Sequence, residues 1–411
     1  MAPVLNPGGF SSEALSYAVA LDAGYARAAD ALGSSSGIFG IRQFAEQQQA
    51  EFVRGMPDEM KSISRKLIQA GNSKHSWDVA ICHSTPDVWH PDGAFGWGHV
   101  QPCPPRGTRF TVGRTMYETD RLPEGWVPRI NKMDEVWVPS HFALEQFASS
   151  GVERSKLVVV PEAVDTDFFD PAKHKPMDAG GGGDGTYRFL SVFKWEKRKG
   201  WDVLLRAYLQ EFSADDPVVL QIKTQAFHSD GNFQAKINAF VKTLGSSVKT
   251  PLARYTLISK DLPLRDLPRL YRGADAFVLP SRGEGWGRPH VEAMSMGLPI
   301  IATNWGGSTE FLNEDSALPL RIDGLEEVEE GNGPKGHQWA VPSVEHLRSL
   351  MRWASTHREE AAAIGQRARL EMVSKFGPAA IAREHLLPQL RQIRKRLGGH
   401  SGSSRRHSEE M

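Results

Sequence analysis

The chain has 411 residues, of which 40% are hydrophobic and 24% are charged. This length exceeds what one hydrophobic core usually holds, so we expect a globular protein of two domains. Its 49 lysines and arginines equal its 49 aspartates and glutamates in number, which excludes a strong overall attraction to nucleic acid or to an anionic membrane. A peripheral membrane contact stays open, because it needs only a local apolar and basic patch.

The cysteine content bears on the cellular compartment. Cys82 and Cys103 are the only cysteines, which are too few for a scaffold stapled by disulfides. We therefore expect a reducing compartment and a cytoplasmic location. No run of about 18 apolar residues occurs, so the sequence predicts no membrane-spanning helix.

Short apolar runs alternate with helical patterns along most of the chain. The predicted strands, in chain order, are Asp78–His83, Phe110–Tyr117, Glu135–Pro139, Lys156–Val160, Tyr187–Phe193, Val218–Lys223, Tyr255–Ser259, Ala276–Pro280 and Pro299–Thr303. Several are rich in Val and Ile and apolar on both faces, which is typical of a buried parallel sheet. One helical pattern carries its apolar face on Trp201, Leu204, Leu205, Tyr208 and Phe212. The alternation of strands and helices predicts an α/β protein with parallel sheets.

A glycine-rich stretch, Asp178–Thr186 (DAGGGGDGT), divides the chain near its middle. This composition does not hold regular structure and is typical of a flexible connector. The end of the chain is rich in Gly, Ser, Arg and His without apolar spacing, which predicts disorder. The predicted boundaries are 1–176 for an N-terminal α/β domain, 177–186 for the linker, 187–376 for a C-terminal α/β domain, 377–397 for a final helix and 398–411 for a disordered tail.

The segment richest in chemistry is Phe277–Phe311, where a buried strand leads into a loop with glycine at alternate positions. Glu284 lies in that loop, and Glu292 lies in the first turn of the helix that follows, where the helix dipole favours a carboxylate. Ligands of open α/β sheets bind at the carboxyl ends of strands. Two carboxylates with glycines between them suit the recognition of hydroxyl groups, because backbone N–H groups can then approach a ligand closely.

The stretch EGWGRPHVEAMSMGLPIIAT, from Glu284 to Thr303, resembles the signature of the retaining family-4 glycosyltransferases of GT-B fold. That family has two glutamates separated by seven residues inside EGxGxxxxEAMAxGxPVIAT. The resemblance implies two Rossmann-like domains whose parallel sheets face each other across a cleft, with the last helix crossing back to the first domain. It also implies transfer of a hexose from a nucleotide-diphosphate sugar to an acceptor hydroxyl, with retention of anomeric configuration.

The same resemblance assigns roles to the residues of this loop. Glu284 and the backbone of Gly285, Trp286 and Gly287 would contact the donor sugar. Glu292 would bind the ribose hydroxyls of the nucleotide. The alternative is that both glutamates are ordinary acids, one of a solvated loop and one of a helix terminus.

A basic turn, within Phe193–Leu205 (FKWEKRKGWDVLL), supplies the predicted cations. The family has an arginine and a lysine five residues apart here, and Lys194 and Lys199 take those positions. Both would face the diphosphate and stabilise the negative charge that develops as it leaves. Lys197 and Arg198 lie close by, so the assignment among the four cations stays open.

Two weaker resemblances concern the base and the diphosphate. Tyr255–Pro280 is similar to the family's strand, loop and short helix beside the base, which implies that the backbone near Ile258–Lys260 and the side chain of Leu262 flank the nucleobase. In the turn PGGFSS, Gly8 and Gly9 would present backbone amides to an anionic group at a helix N-terminus. Ordinary turn chemistry explains that pair of glycines equally well.

Candidate residues of the first domain depart from the family pattern. The stretch TVGRTMYETD places Glu118 where the family often has a histidine near the donor sugar. Glu118 would bind sugar hydroxyls or assist the acceptor, and a surface acid paired with Arg121 is the alternative. His83, at the end of another predicted strand, is a second candidate.

We expect no cofactor besides the donor and no required metal. Asp165–Asp167 reads DTD, but two carboxylates alone make a poor metal site. The expected partners are a nucleotide sugar and an acceptor that is a glycan, a lipid or a small molecule. Two other functions stay open: a non-catalytic nucleotide-sugar-binding protein of the same fold, and a glucan synthase or phosphorylase, although no motif for a lysine-bound pyridoxal phosphate occurs.

Overall fold

A computed structural model gives the structure of the chain. It describes residues 2, 5, 9–28, 40–42, 49–73, 76–90, 103–180, 185–226, 231–329, 331 and 333–403. The chain divides into two compact units. The first comprises 1–116, 122–165 and 375–411, and the second comprises 117–121 and 166–374.

The first unit contains a parallel sheet whose strands follow chain order. These strands are β1 (Val79–His83), β2 (Phe110–Arg114), β3 (Glu135–Val138) and β4 (Leu157–Val159). Every residue of β2 and β3 is buried, including the polar side chains of Thr111, Arg114 and Glu135, so both faces of these strands are covered. The accompanying helices are α1 (Gly9–Ala28), α2 (Ala50–Gly55), α3 (Asp58–Gly71), α4 (Trp126–Ile130) and α5 (His141–Ser149).

The second unit contains a six-stranded parallel sheet of order β10-β9-β8-β5-β6-β7 and a separate antiparallel hairpin of β11 and β12. The sheet strands are β5 (Tyr187–Trp195), β6 (Val218–Ala226), β7 (Tyr255–Ile258), β8 (Ala276–Leu279), β9 (Ile300–Thr303) and β10 (Leu318–Leu320). The hairpin strands are β11 (Ile322–Glu327) and β12 (Gln338–Pro342). The helices are α6 (Trp201–Glu211), α7 (Phe233–Leu244), α8 (Leu267–Arg272), α9 (Arg288–Ser295), α10 (Val344–Thr356) and α11 (Arg358–Glu371).

The strand order of the second unit reverses beside β5. From β5 the chain proceeds to β6 and β7 on one side, and β8, β9 and β10 lie on the other. The carboxyl ends of β5 and β8 are therefore neighbours at a switch point, which is where open α/β sheets bind ligands. The apolar face predicted for α6 anchors this arrangement, since Leu204, Leu205 and Tyr208 are fully buried.

The end of the chain returns to the first unit. It forms α12 (Pro378–Ile381) and α13 (Leu387–Ser403), which a π-helical turn over Ala382–Leu386 connects. α13 continues to Ser403, so the start of the tail predicted as disordered over 398–411 is helical. Residues 404–411 lie outside the described part of the chain.

The prediction of an α/β protein with parallel sheets is confirmed, and each predicted strand is present. β10, β11 and β12 were not predicted, because β10 is short and the half-exposed β11 lacks an apolar pattern. The units separate at residue 165, before the predicted linker over 177–186, whose residues 181–184 lie outside the described ranges. Met177 already belongs to the second unit, since its N–H donates to the carbonyl of Arg269 over 2.8 Å.

Cys82 and Cys103 form a disulfide in the first unit. Disulfides persist in oxidising environments, so this pairing is at odds with the reducing compartment expected from the low cysteine count. Within the described residues, no helix is both long enough and apolar enough to cross a membrane.

The disulfide predicts the thiol content of the native protein. Protein purified and denatured without reductant should show no reactive thiol, because both cysteines are bonded to each other. A colorimetric thiol count before and after reduction measures this directly. Two reactive thiols per chain before reduction would contradict the pairing.

Candidate functional site

The candidate site lies in the second unit at the switch point between β5 and β8. The turn at residues 196–200 follows β5, and the loop at residues 280–287 follows β8. Gly200 has a φ of 67°, and a Cβ there would overlap the carbonyl oxygen of Pro280. Only glycine combines this backbone conformation with so close an approach, so Gly200 lets the turn lie directly against the loop.

The turn and the loop meet in an ion cluster around Glu284. The Nζ of Lys199 lies 2.8 Å from both Oε1 and Oε2 of Glu284. The Nη1 of Arg198 donates to Oε2 of Glu284 over 3.2 Å and to the carbonyl of Gly283 over 2.8 Å. The structure thus brings together Glu284 and Lys199, and it adds Arg198 as the second cation on this carboxylate.

Glu284 is buried and yet ionised. Burial alone would raise the pKa of its carboxyl, but Lys199 and Arg198 reverse that effect and hold the pKa at about 2. At Lys194, near the end of β5, the surroundings favour the neutral form, whereas at Glu284 they favour the charged form. Burial lowers the pKa of Lys194, the carboxylate of Glu196 opposes this, and the cations Lys199 and Arg198 lower it further. The cluster is therefore a fixed arrangement of charges in a partly desolvated site.

Glu118 joins this cluster from a distant part of the chain. The segment at residues 117–121 follows β2 of the first unit in sequence but belongs to the second unit. An Oε1 of Glu118 lies 3.6 Å from the Nη2 of Arg198. A Cβ on Gly283 would overlap the carbonyl oxygen of Glu118, so the glycine allows the backbone of Glu118 to approach the loop after β8 closely.

The β11–β12 hairpin holds the segment at residues 117–121 in place. The N–H of Asp120 donates to the carbonyl of Gln338 over 2.9 Å, and the N–H of Gln338 donates to Oδ1 of Asp120 over 2.6 Å. The hydroxyl of Thr119 lies 2.7 Å from Nδ1 of His337. The position of Glu118 therefore depends on a hairpin that the sequence did not predict.

Glu292 has the opposite electrostatic character to Glu284. It lies in α9 with 7% exposure, and burial raises the pKa of its carboxyl to about 7. Arg288 and a 2.9 Å hydrogen bond from the hydroxyl of Tyr271 act against this rise by favouring the charged form. Glu292 thus changes its charge near neutral pH, whereas Glu284 stays ionised.

Glycines let the loop at residues 280–287 approach its neighbours. Gly287 has a φ of 113°, which favours glycine, and it leads into α9. The N–H of Gly307 donates to the carbonyl of Glu284 over 2.8 Å, and a Cβ on Gly307 would overlap the carbonyl oxygen of Gly285. The side chain of Trp286 is 1% exposed and packs edge-on against Phe311, so any ligand contact of Trp286 has to come from its backbone.

The residues predicted beside the base lie at the β7 edge of the sheet, two strands away from β5. Ile258 ends β7, which is the edge strand, and Leu262 lies half-buried in the loop that follows. Lys223 of β6 is paired in register with Ile258 and is 8% exposed. Burial lowers the pKa of Lys223, and Asp261 opposes this. Sequence analysis missed Lys223, because a lysine near the end of a strand gives no sign of burial.

The candidates of the first unit form a separate group. Gly8 lies outside the described residues, and Gly9 begins α1. His83 ends β1, and its Nε2 lies 2.9 Å from Oε2 of Glu13, which also pairs with Arg114. Burial would raise the pKa of Glu13, but Arg114 and His83 hold it at about 2. This fully enclosed cluster ties α1 to the carboxyl ends of β1 and β2.

The described residues include no group of three or more His, Cys, Asp or Glu placed to hold a metal ion. Asp167, the last residue of the DTD sequence, pairs with Lys173 instead. The expectation of no required metal stays a prediction.

Sequence analysis also missed Arg198 and Tyr271 as partners of the predicted glutamates. The KRKG sequence showed that several cations were present, but it could not rank them. Tyr271 gave no signal, because its hydroxyl reaches Glu292 across a packing contact between α8 and α9. Of the four cations, Lys197 pairs with Asp202 over 2.9 Å.

Comparison with known proteins relates the second unit to one family. Residues 186–325 match the family model described as Glycosyl transferases group 1. Spore coat protein SA of Bacillus subtilis is 30% identical over 247 residues, which are 57% of this chain and 58% of that protein. A GDP-mannose-dependent alpha-(1-6)-phosphatidylinositol monomannoside mannosyltransferase of Mycolicibacterium smegmatis is 28% identical over 206 residues, 48% of this chain and 50% of that protein. The chain therefore spans about half the length of these curated relatives.

Two solved structures resemble the chain at low sequence identity. Anabaena Alr3699/HepE in complex with UDP and glucose has a TM-score of 0.52 at 16% identity and covers 69% of this chain and 71% of that one. A glycosyltransferase from Rickettsia africae has a TM-score of 0.53 at 17% identity, with coverage of 69% and 71%. At these identities the likeness concerns the fold alone, and it confirms the expected α/β fold of the GT-B class.

The close approach at Gly307 predicts the effect of a single methyl group. Gly307→Ala should destabilise the second unit by about 1–3 kcal/mol, because the new Cβ forces the backbone of Gly285 to move. Gly231→Ala is the matched control, since a Cβ there meets nothing within 4 Å. Denaturant unfolding of both variants measures the free energies. Equal stability of the two variants would show that the two backbone segments do not pack this closely.

Proposed function

We propose that this protein, whose residues 186–325 match the family model described as Glycosyl transferases group 1, transfers a hexose from a nucleotide-diphosphate sugar to an acceptor hydroxyl with retention of anomeric configuration. The donor binds at the carboxyl edge of the second unit's sheet. The acceptor is a glycan, a lipid or a small molecule. No further cofactor or metal takes part.

The observation that carries this proposal is the fixed ion cluster at the switch point. Lys199 and Arg198 hold Glu284 ionised in the glycine-containing loop at residues 280–287. Cations in this arrangement stabilise the charge that develops on a departing diphosphate without having to reorganise during the reaction. A carboxylate next to them is placed to accept hydrogen bonds from sugar hydroxyls. The cluster therefore suits the point where a diphosphate and a sugar are joined.

The relatives and the solved structures support a nucleotide sugar as the donor. One relative is described as GDP-mannose-dependent, and the HepE structure contains UDP and glucose. In the proposed mechanism Glu292 binds the ribose, Lys194, Lys199 and Arg198 face the diphosphate, and Glu284 orients the sugar. The leaving diphosphate accepts the acceptor's proton on the same face of the sugar, which retains the configuration.

The proposal includes no metal because the cationic side chains of the cluster supply the positive charge that a diphosphate needs. Positively charged side chains can do for a diphosphate what a divalent cation does elsewhere, because both neutralise developing negative charge. The cytoplasmic location expected from the low cysteine count stays a prediction, and the Cys82–Cys103 disulfide is at odds with it. A peripheral membrane contact is compatible with the proposal when the acceptor is a lipid.

A transfer assay tests the function. The purified protein is first screened by thermal shift against UDP- and GDP-linked hexoses, since a bound ligand raises the melting temperature by mass action. Hydrolysis or transfer of the stabilising donor is then measured, and NMR of the product reports its anomeric configuration. Binding without any turnover would favour the non-catalytic sugar-binding protein. An inverted product would refute the retaining mechanism.

Glu284→Gln should lower turnover by about a hundredfold or more while nucleotide affinity changes little, because the carboxylate faces the sugar. Glu211→Gln is the matched control. Glu211 also pairs with arginines, Arg348 and Arg352, but it lies at the opposite end of α6 from the turn. Kinetics and calorimetry on both variants separate turnover from binding. Equal activity of the Glu284 variant and the control would remove Glu284 from the reaction.

The raised pKa of Glu292 predicts that nucleoside binding depends on pH. Below its pKa of about 7 the carboxyl is protonated and accepts hydrogen bonds from ribose less well. Affinity for the nucleoside should therefore fall about tenfold from pH 8 to pH 6. The free nucleoside is used because its affinity is not affected by titration of a phosphate. Glu292→Gln should bind without this dependence, and the same pH profile in that variant would assign the titration to another group.

A further inference from the structure

A second, buried ion-pair hub lies beside the ion cluster of the candidate site. Its centre is the guanidinium of Arg282, a residue of the loop after β8 that is 6% exposed. Nη1 of Arg282 lies 2.9 Å from Oδ1 of Asp202, and Nη2 lies 2.9 Å from Oδ2. This bidentate ion pair attaches Arg282 to the first turn of α6, where Asp202 lies. The Nε of Arg282 donates to Oε1 of Glu326 in β11 over 2.9 Å.

The same residue also bonds the turn and the hairpin through backbone groups. Nη1 of Arg282 donates to the carbonyl of Lys197 over 3.0 Å, and its N–H donates to the carbonyl of Arg198 over 2.6 Å. Its own carbonyl accepts from the N–H of Ala340 in β12 over 2.8 Å. Arg282 thus connects the cationic turn, the start of α6 and the hairpin to the loop that carries Glu284.

We propose that Arg282 and Asp202 are a positioning pair that sets where Lys199 and Arg198 stand relative to Glu284. This inference rests on the proposed donor site and names residues that act on it without touching the ligand. Nη1 of Arg282 bonds the carbonyl of Lys197, which precedes Lys199 in sequence. Both Nη atoms bond Asp202, which follows Lys199. The pair therefore fixes the turn from both of its ends.

The geometry requires arginine. A planar fork can bind a carboxylate through two parallel hydrogen bonds while its Nε bonds a third group, whereas the ammonium of lysine is a point charge without that directionality. Lysine at this position would keep the positive charge between Asp202 and Glu326 and lose the orientation of the turn. Arg282→Lys therefore separates positioning from charge compensation.

The further contacts of Asp202 and Arg282 distinguish this pair from an ion pair that only stabilises the fold. Asp202 pairs with Lys197 over 2.9 Å as well, so the turn is attached to Asp202 by its own side chain and to Arg282 by its carbonyl groups. When the bidentate hydrogen bonds of Arg282 are lost, the turn can rotate, while Asp202 keeps Lys197 as a cationic partner. The expected consequence is a displaced Lys199 in a folded protein.

The test compares ligands that differ only in their phosphates. Calorimetric affinities of UDP, uridine, GDP and guanosine are measured for the wild type, Arg282→Lys and Asp202→Asn. Both variants should bind the diphosphate that the wild type prefers about tenfold more weakly, with the matching nucleoside unchanged. Arg352→Lys is the matched control, because Arg352 makes comparable pairs with Glu211 and Asp216 away from the turn.

A double-mutant cycle with Lys199→Gln completes the test. If Arg282 acts by placing Lys199 and Arg198, then Arg282→Lys should cost less diphosphate affinity in the Lys199→Gln background than in the wild type, because only Arg198 is left to be displaced. Independent, additive losses would overturn the proposal, and so would equal losses for diphosphate and nucleoside. A lowered melting temperature with unchanged affinities would show a structural role only. A wild type that binds none of the four probes would instead contradict a UDP- or GDP-linked sugar as the donor of the proposed function.

Discussion

The buried carboxylate of Glu284 is the constraint on which the rest of the second unit's site depends. Burial favours its neutral form, and the adjacent Lys199 and Arg198 are the largest of the influences that keep it ionised. A buried charge is tolerated when an opposite charge and hydrogen bonds surround it. The turn after β5 must therefore lie against the loop after β8, and Gly200 makes that approach sterically possible.

The same arrangement connects stability with the proposed chemistry. Cations that neutralise Glu284 are held where a diphosphate would meet a sugar, so little reorganisation is needed when charge develops. Arg282 fixes the turn from within the unit, and the segment at residues 117–121 approaches Arg198 from the side of the hairpin. Glu292 completes the contrast, because it is buried without a comparable set of cations and its carboxyl titrates near neutral pH.

Much of the fold and part of the site could be predicted from the sequence. All strands of the two parallel sheets except β10 could be predicted from the sequence, and Glu284, Glu292 and Lys199 follow from a spaced motif. The partners of these groups could not be predicted, because they are remote along the chain. Arg198 and Glu284 are 86 positions apart, and Arg282 and Asp202 are 80 apart.

The α/β class, the strands other than β10, β11 and β12, and the glycines that shape the loops could be recognised in the sequence, since periodicity and backbone freedom are local properties. Only the tertiary structure decided which charges meet, because Coulomb interactions depend on distance in space and on burial. It placed Glu118 in the second unit and raised the pKa of Glu292. It also paired Cys82 with Cys103, whose separation of 21 residues gave no indication that they would be neighbours.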